Sequence, residues 1–142
     1  MPGIPERSKG ESIVISFTAA QFDQMLAHVL ADPTRERCGL LAGQAGRVRQ
    51  VLPVPNVLNS PWAYRMGGQE FVEAMRVCDF EPLGIFHSHV AGPPTPSPTD
   101  VAEVTYPDAV YIIISLHQSP PSVRGFRILG RQVSEVELKV EG

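Results

Sequence analysis

No apolar stretch in this chain approaches the roughly 18 to 20 residues that a membrane-spanning helix needs. The N-terminal MPGIPERSKGES also lacks the apolar core of an export signal. No membrane association is expected, and the expected location is cytoplasmic. Basic runs are missing as well: the 12 Lys and Arg are scattered, and a net charge of −3 offers no patch for nucleic acid. Cysteine is scarce. Cys38 and Cys78, with no CxxC, build no disulfide framework. One sits in an apolar strand-like run and the other at helical spacing from Phe71 and Met75, so both read as small buried apolar side chains. No internal repeat is evident, and the only compositionally biased stretch is the Pro-rich run over residues 91–96.

What remains is an ordinary globular composition. With 142 residues, 43% hydrophobic and 19% charged, the chain can bury a core of its own as one domain. Residues 1–10 carry no periodicity and are expected to be a flexible tail, leaving 11–142 as the domain. Residues 12–17 read as a strand. Thr18 and Gln21 form a capping-box pattern, followed by Phe22, Met25, Leu26, Val29 and Leu30 on one helical stripe that Asp32-Pro33 closes. His28 lies off that stripe and is read as solvent-facing. Residues 37–43 and 47–54 flank a Gln44-Ala45-Gly46 turn and predict a hairpin. An irregular excursion over 56–68, with a short strand near 64–66, leads to a second helix over 69–80, which Pro82 ends. A short third helix starts at Ser97, and residues 109–116 form a β-branched run typical of a strand buried on both faces. Two more strands, 123–129 and 133–140, complete a mixed α/β pattern: a central mixed sheet with helices packed on it.

Chemistry concentrates in Leu83 to Asp100, LGIFHSHVAGPPTPSPTD. On an extended strand, residues i and i+2 share a face, so His87 and His89 project together while Phe86 and Ser88 point away. Two imidazoles and the carboxylate of Asp100 would leave one position of a tetrahedral zinc open to water. The plainer reading of Ser97 and Asp100 is a helix start, with Ser at the N-cap, Pro next and an acid at the third position. Glu36, just before an apolar strand, is either a solvated loop charge or a general base set close to the reacting water.

Taken together these residues resemble the JAMM (MPN+) metalloprotease signature: a Glu, then after a variable gap His-x-His, seven residues, Ser, two residues and Asp. Here the seven are residues 90–96, followed by Ser97, Pro98-Thr99 and Asp100. The Glu36-Arg37-Cys38-Gly39-Leu40-Leu41 context is similar to the small prokaryotic branch, as are Asn56, residues 64–66 and the final strands. The resemblance implies a cytidine deaminase-like three-layer fold, a mixed central sheet flanked by helices. It implies Zn2+ held by His87, His89 and Asp100, Glu36 as general acid-base, Ser97 as oxyanion donor and Ser88 in a supporting role. A deaminase itself is excluded, since the H-x-E and P-C-x-x-C pattern is absent. The implied substrate is a ubiquitin-like sulfur-carrier protein, bound through its C-terminal Gly-Gly tail as an added strand. Residues 56–68 are expected to supply part of that edge. The competing reading is a non-catalytic scaffold domain, although such members lose motif residues that this chain retains. A DNA-repair role finds no basic patch to support it.

Overall fold

The computed structural model describes residues 14–104 and 106–141, so the expected tail over 1–10 lies outside the described residues. The first strand, β1 (Val14–Thr18), runs straight into helix α1 (Ala19–Leu30). The capping box forms as the spacing predicts: Gln21 N–H donates to Thr18 Oγ1 at 3.2 Å, and Thr18 N–H to Gln21 Oε1 at 3.0 Å. Strands β2 (Cys38–Gln44) and β3 (Arg47–Val54) form the expected hairpin. Its two-residue loop places Ala45 at φ 54 and Gly46 at φ 76. Positive φ at both positions is the twist-matched turn that a tight hairpin prefers.

After the excursion come α2 (Gly68–Arg76), β4 (Glu81–His89), α3 (Pro98–Ala102), β5 (Val110–Ser115), β6 (Ser122–Leu129) and β7 (Gln132–Glu141). The strand order is β1-β3-β2-β4-β5-β6-β7, and β1 also pairs with β7 in parallel, from Val14↔Glu137 to Thr18↔Glu141. β4 and β5 are parallel, while β2 is antiparallel to both β3 and β4. The mixed sheet is as expected; its closure through the first and last strands is a long-range pairing that no local pattern announces.

Alternation along the strands divides the core in two. Phe86 joins Ile15, Phe17, Met25, Val29, Leu41, Ile112 and Ile114 under α1. Ile85 joins Leu40, Val54, Tyr111 and Ile128, with Phe71 and Met75 of α2 and Val101 of α3 packed on them. Because side chains alternate at period two, His87 and His89 share the Ile85 face, toward α2 and α3. Phe86 is fully buried, and the Gly39 opposite it has no room for a side chain: a Cβ there would lie 2.3 Å from the Phe86 ring. Truncating Phe86 to Ala should cost about 3–5 kcal/mol, read from urea unfolding. A loss below about 1 kcal/mol would contradict its place in the core.

Several details depart from the expectations. The second helix stops at Arg76, since the Gln50 side chain donates to Val77 O at 3.4 Å and accepts Asp79 N–H at 2.8 Å, taking backbone groups that a longer helix would use. Cys78 thus lies beyond the helix and is only half-buried, while Cys38 is buried as expected. Pro82 lies inside β4, paired with Ala42 where the register slips, an irregularity that tolerates proline. The strand near residues 64–66 reduces to a single Asn56↔Met66 bridge. Arg65 N–H is taken by the Asn56 side chain at 3.0 Å, a local bond that competes with the ladder. Leu30 is 45% exposed despite its place on the apolar stripe. His28 is not solvent-facing. It is half-buried where α1 crosses the start of β2, its Nε2–H donates to Cys38 O at 3.0 Å, and Arg37 Nη2 donates to its Nδ1 at 3.3 Å. Among the described residues, no helix is long and apolar enough to cross a membrane.

Candidate active site

His87 and His89 end β4, with their Nε2 atoms 3.1 Å apart. Asp100, at the third position of α3, completes the group: Oδ1 is 3.3 Å from His87 Nε2 and Oδ2 is 3.0 Å from His89 Nε2. The helix start is real as well. Ser97 N–H donates to Asp100 Oδ2 at 2.8 Å, and Asp100 N–H donates to Ser97 Oγ at 3.1 Å. Capping and convergence on the histidines are therefore one arrangement, the cap being what aims the carboxylate.

The ring orientations are set from outside. His89 Nδ1–H donates to Pro93 O at 2.8 Å, which turns the Nε2 lone pair inward. Pro93 lies in the Pro-rich loop, which Ser115 Oγ anchors by donating to Gly92 O at 2.6 Å. His87 is held differently. Its buried Nδ1 has no partner among the described residues, and the Tyr64 ring stacks on the imidazole instead, with centroids 4.2 Å apart and planes 23° apart.

Charge follows the packing. Burial disfavours the Asp100 carboxylate, yet its contacts with both imidazoles and with Ser97 N–H outweigh that and hold its pKa well below the usual carboxylate range. Burial lowers the His87 pKa despite the neighbouring Asp100. For His89 burial acts the same way, but Asp100 and the Pro93 carbonyl prevail and raise it.

Glu36 arrives from the connection between α1 and β2 and is only 5% exposed. Burial is the main reason its pKa rises to about 7, with His89 pulling it down and Asp100 pushing it up. Its Oε1 is buried without a hydrogen-bond partner. What brings it to the histidines, about fifty residues away in sequence, is strand pairing: Cys38 lies opposite His87. Arg37 N–H donates to Ser88 Oγ at 3.0 Å, and Ser88 N–H donates to Arg37 O at 2.9 Å. Ser88 points away from the two imidazoles, as alternation requires, and ties the Glu36 segment to β4.

Thus Glu36, His87, His89, Ser97 and Asp100 all meet at one place. The three donor atoms suit a divalent cation. Ligands about 2.0–2.2 Å from a tetrahedral zinc lie about 3.3–3.5 Å from one another; here they lie 3.0–3.3 Å apart. His87, His89 and Asp100 form the candidate metal group among the described residues, with donor atoms within 4.8 Å of one another. Three inward lone pairs so close need a cation or a shared proton between them. Beside the group lies a cavity of about 310 Å³ lined by Tyr64, Met66, Phe71, Asp100 and Glu103. The carboxylate thus borders a hollow of mixed lining, with Arg65 and Thr99 beside the aromatic rings. The family resemblance singles out residues 64–66, but the stacking of Tyr64 on His87 had no signal in the sequence.

Comparison with known proteins agrees with this geometry. Residues 18–129 match the family model for prokaryotic homologues of the JAB domain. The chain is 36% identical over 138 residues to the CysO-cysteine peptidase of Mycobacterium tuberculosis, covering 93% of this chain and 94% of that protein. It is 31% identical over 116 residues to the desampylase of Pyrococcus furiosus, covering 79% and 83% respectively. The solution structure of a protein from Desulfitobacterium hafniense is similar with a TM-score of 0.79 at 35% identity, covering 89% of this chain and 92% of the other.

Proposed function

The chain belongs to the prokaryotic JAB-domain family, and from that premise we propose a zinc-dependent peptidase. It hydrolyses the peptide or isopeptide bond after the C-terminal Gly-Gly tail of a ubiquitin-like sulfur-carrier protein. The observation that carries this reading is the buried Glu36 carboxyl, its Oε1 without a partner, beside three converging atoms that could ligate a metal. A scaffold domain has no use for that costly arrangement. We read the sheet, covered on both faces by helices, as the three-layer cytidine deaminase-like arrangement. The two free thiols suit the reducing cytoplasm.

His87 Nε2, His89 Nε2 and a carboxylate oxygen of Asp100 would hold the zinc. Zinc bound there would supply Lewis acidity, giving a water nucleophile near neutral pH and a polarised scissile carbonyl. The remaining steps belong to the chain. As water oxygen bonds to the carbonyl carbon, Glu36 takes the water proton. Ser97 Oγ already accepts the Asp100 N–H, so its own O–H is free to donate to the developing oxyanion. When the C–N bond breaks, Glu36 returns the proton to the leaving nitrogen. A carboxyl poised near 7 suits both transfers. The acid limb of kcat/KM should therefore fall below pH 7, because a nearby cation lowers that value further. An acid limb above pH 7 would exclude Glu36 as its source.

Residues 63–66 and Gly68 border the cavity beside Asp100 and supply the edge along which the tail lies. A Cβ at Gly68 meets nothing within 4 Å, so the backbone accepts a substitution there. Gly68→Trp should narrow the cavity, raising KM about 10-fold and leaving kcat within about twofold, in tail-cleavage kinetics. An unchanged KM would place the tail elsewhere. The substrate class is tested by changing the last tail glycine to valine: cleavage should stop, and undiminished cleavage would remove the diglycine from the specificity.

A further inference from the structure

Both backbone groups of Glu36 bond to the loop that follows β3. Glu36 N–H donates to Ser60 O at 2.8 Å, and Glu36 O accepts from Asn56 Nδ2 at 2.9 Å. Neither bond belongs to a sheet ladder, since β2 begins at Cys38. Asn56 makes three more. Nδ2 also donates to Ala63 O at 3.0 Å, while Oδ1 accepts Leu58 N–H at 3.1 Å and Arg65 N–H at 3.0 Å. Two donors and two acceptor sites are the full capacity of an asparagine amide. A fully satisfied, partly buried network of this kind is rigid. The Glu36 carboxyl itself has an oxygen with no partner, so its placement depends on where its main chain is held.

We propose that Asn56 is the positioning residue for Glu36, fixing the proton carrier against the metal group by clamping its carbonyl to the 56–65 loop. The inference rests on the proton-carrier role proposed above. The same loop presents Tyr64, whose ring stacks on His87. Asn56 touches no reacting atom. Its effect is geometric, and misplacement by about 1 Å can cost about 100-fold in rate.

The test is a double-mutant cycle with Asn56→Asp and Glu36→Gln, reading kcat, KM and zinc content of the full chain. Aspartate keeps oxygen acceptors for the Leu58 and Arg65 N–H groups but sets an oxygen, not an N–H, against the Glu36 carbonyl. Asn56→Asp should lower kcat about 10- to 100-fold, with zinc content unchanged and KM within about threefold. In the Glu36→Gln background the same substitution should lower the residual rate by less than about twofold, because its effect runs through Glu36. Asn56→Ser, which also removes the amide donors, should give the same pattern and serves if the aspartate variant folds poorly. Equal losses in both backgrounds, or full activity of the Asn56 variants, would overturn the positioning role and leave the proton-carrier reading standing. Wild-type turnover by Glu36→Gln alone would instead overturn the proton-carrier reading, and the positioning role with it.

Discussion

Glu36→Gln is expected to lower kcat for tail cleavage by about 10²- to 10⁴-fold, the usual contribution of a positioned acid-base group. Zinc content and KM should hardly change, because Glu36 is not among the three converging ligands. The same substitution carries a second signature, independent of turnover. In metal-free protein the Glu36 pKa is about 7 against an ordinary 4.5. Below the ordinary value both folded and unfolded forms are protonated, and stability is unaffected. Between the two values the unfolded chain loses its proton while the folded chain keeps it, so stability falls as pH rises and levels off above 7. At about 1.36 kcal/mol per unit, the stability gap between wild type and Glu36→Gln should change by up to about 3 kcal/mol across that window, the variant gaining. Urea unfolding of both proteins at pH 4.5 and 7.5 measures it. Parallel pH profiles would mean that Glu36 is ionised in the folded state without cost, contrary to its burial.

Asp100→Asn has the second-largest expected effect, and it separates two roles that the sequence could not. Asn keeps an oxygen to accept Ser97 N–H, so α3 should still start and metal-free stability should stay within about 1 kcal/mol. The charge is lost, however, and with it the anionic ligand that offsets a dication beside two neutral imidazoles. Zinc affinity should drop roughly 10³-fold, the share of one ligand in a binding free energy of about 10–16 kcal/mol. Tail cleavage should fall to background at sub-stoichiometric zinc. Isothermal titration with zinc reads the affinity, and thermal melting reads the cap. Unchanged affinity would leave Asp100 as a helix cap and nothing more.

Local chemistry in the sequence announced much of this. Period-two spacing placed His87 and His89 on one face, the capping boxes at Thr18 and Ser97 formed as written, and Ala45-Gly46 turned the hairpin. Where the reading failed, a side chain from elsewhere had captured backbone groups. Gln50 ended α2 early, Asn56 replaced a short strand with a single bridge, and the carbonyl of Cys38 drew His28 inward. None of these partners is close in sequence, so no periodicity reports them. The site was legible for a similar reason in reverse. The three candidate metal ligands sit within 14 residues, whereas Glu36 joins them only through the pairing of β2 with β4. The family resemblance supplied that link before the sheet did.

The central claim is that Glu36 and the His87, His89 and Asp100 group act together to cut behind a diglycine tail. It is tested most directly by mass spectrometry of a ubiquitin-like sulfur carrier extended beyond its Gly-Gly. The carrier is incubated with zinc-loaded wild type, with zinc-stripped wild type and with zinc-loaded Glu36→Gln. The expected result is loss of the extension, with a free diglycine end, in the first sample alone. Equal trimming in all three, or none in the first, would contradict the account.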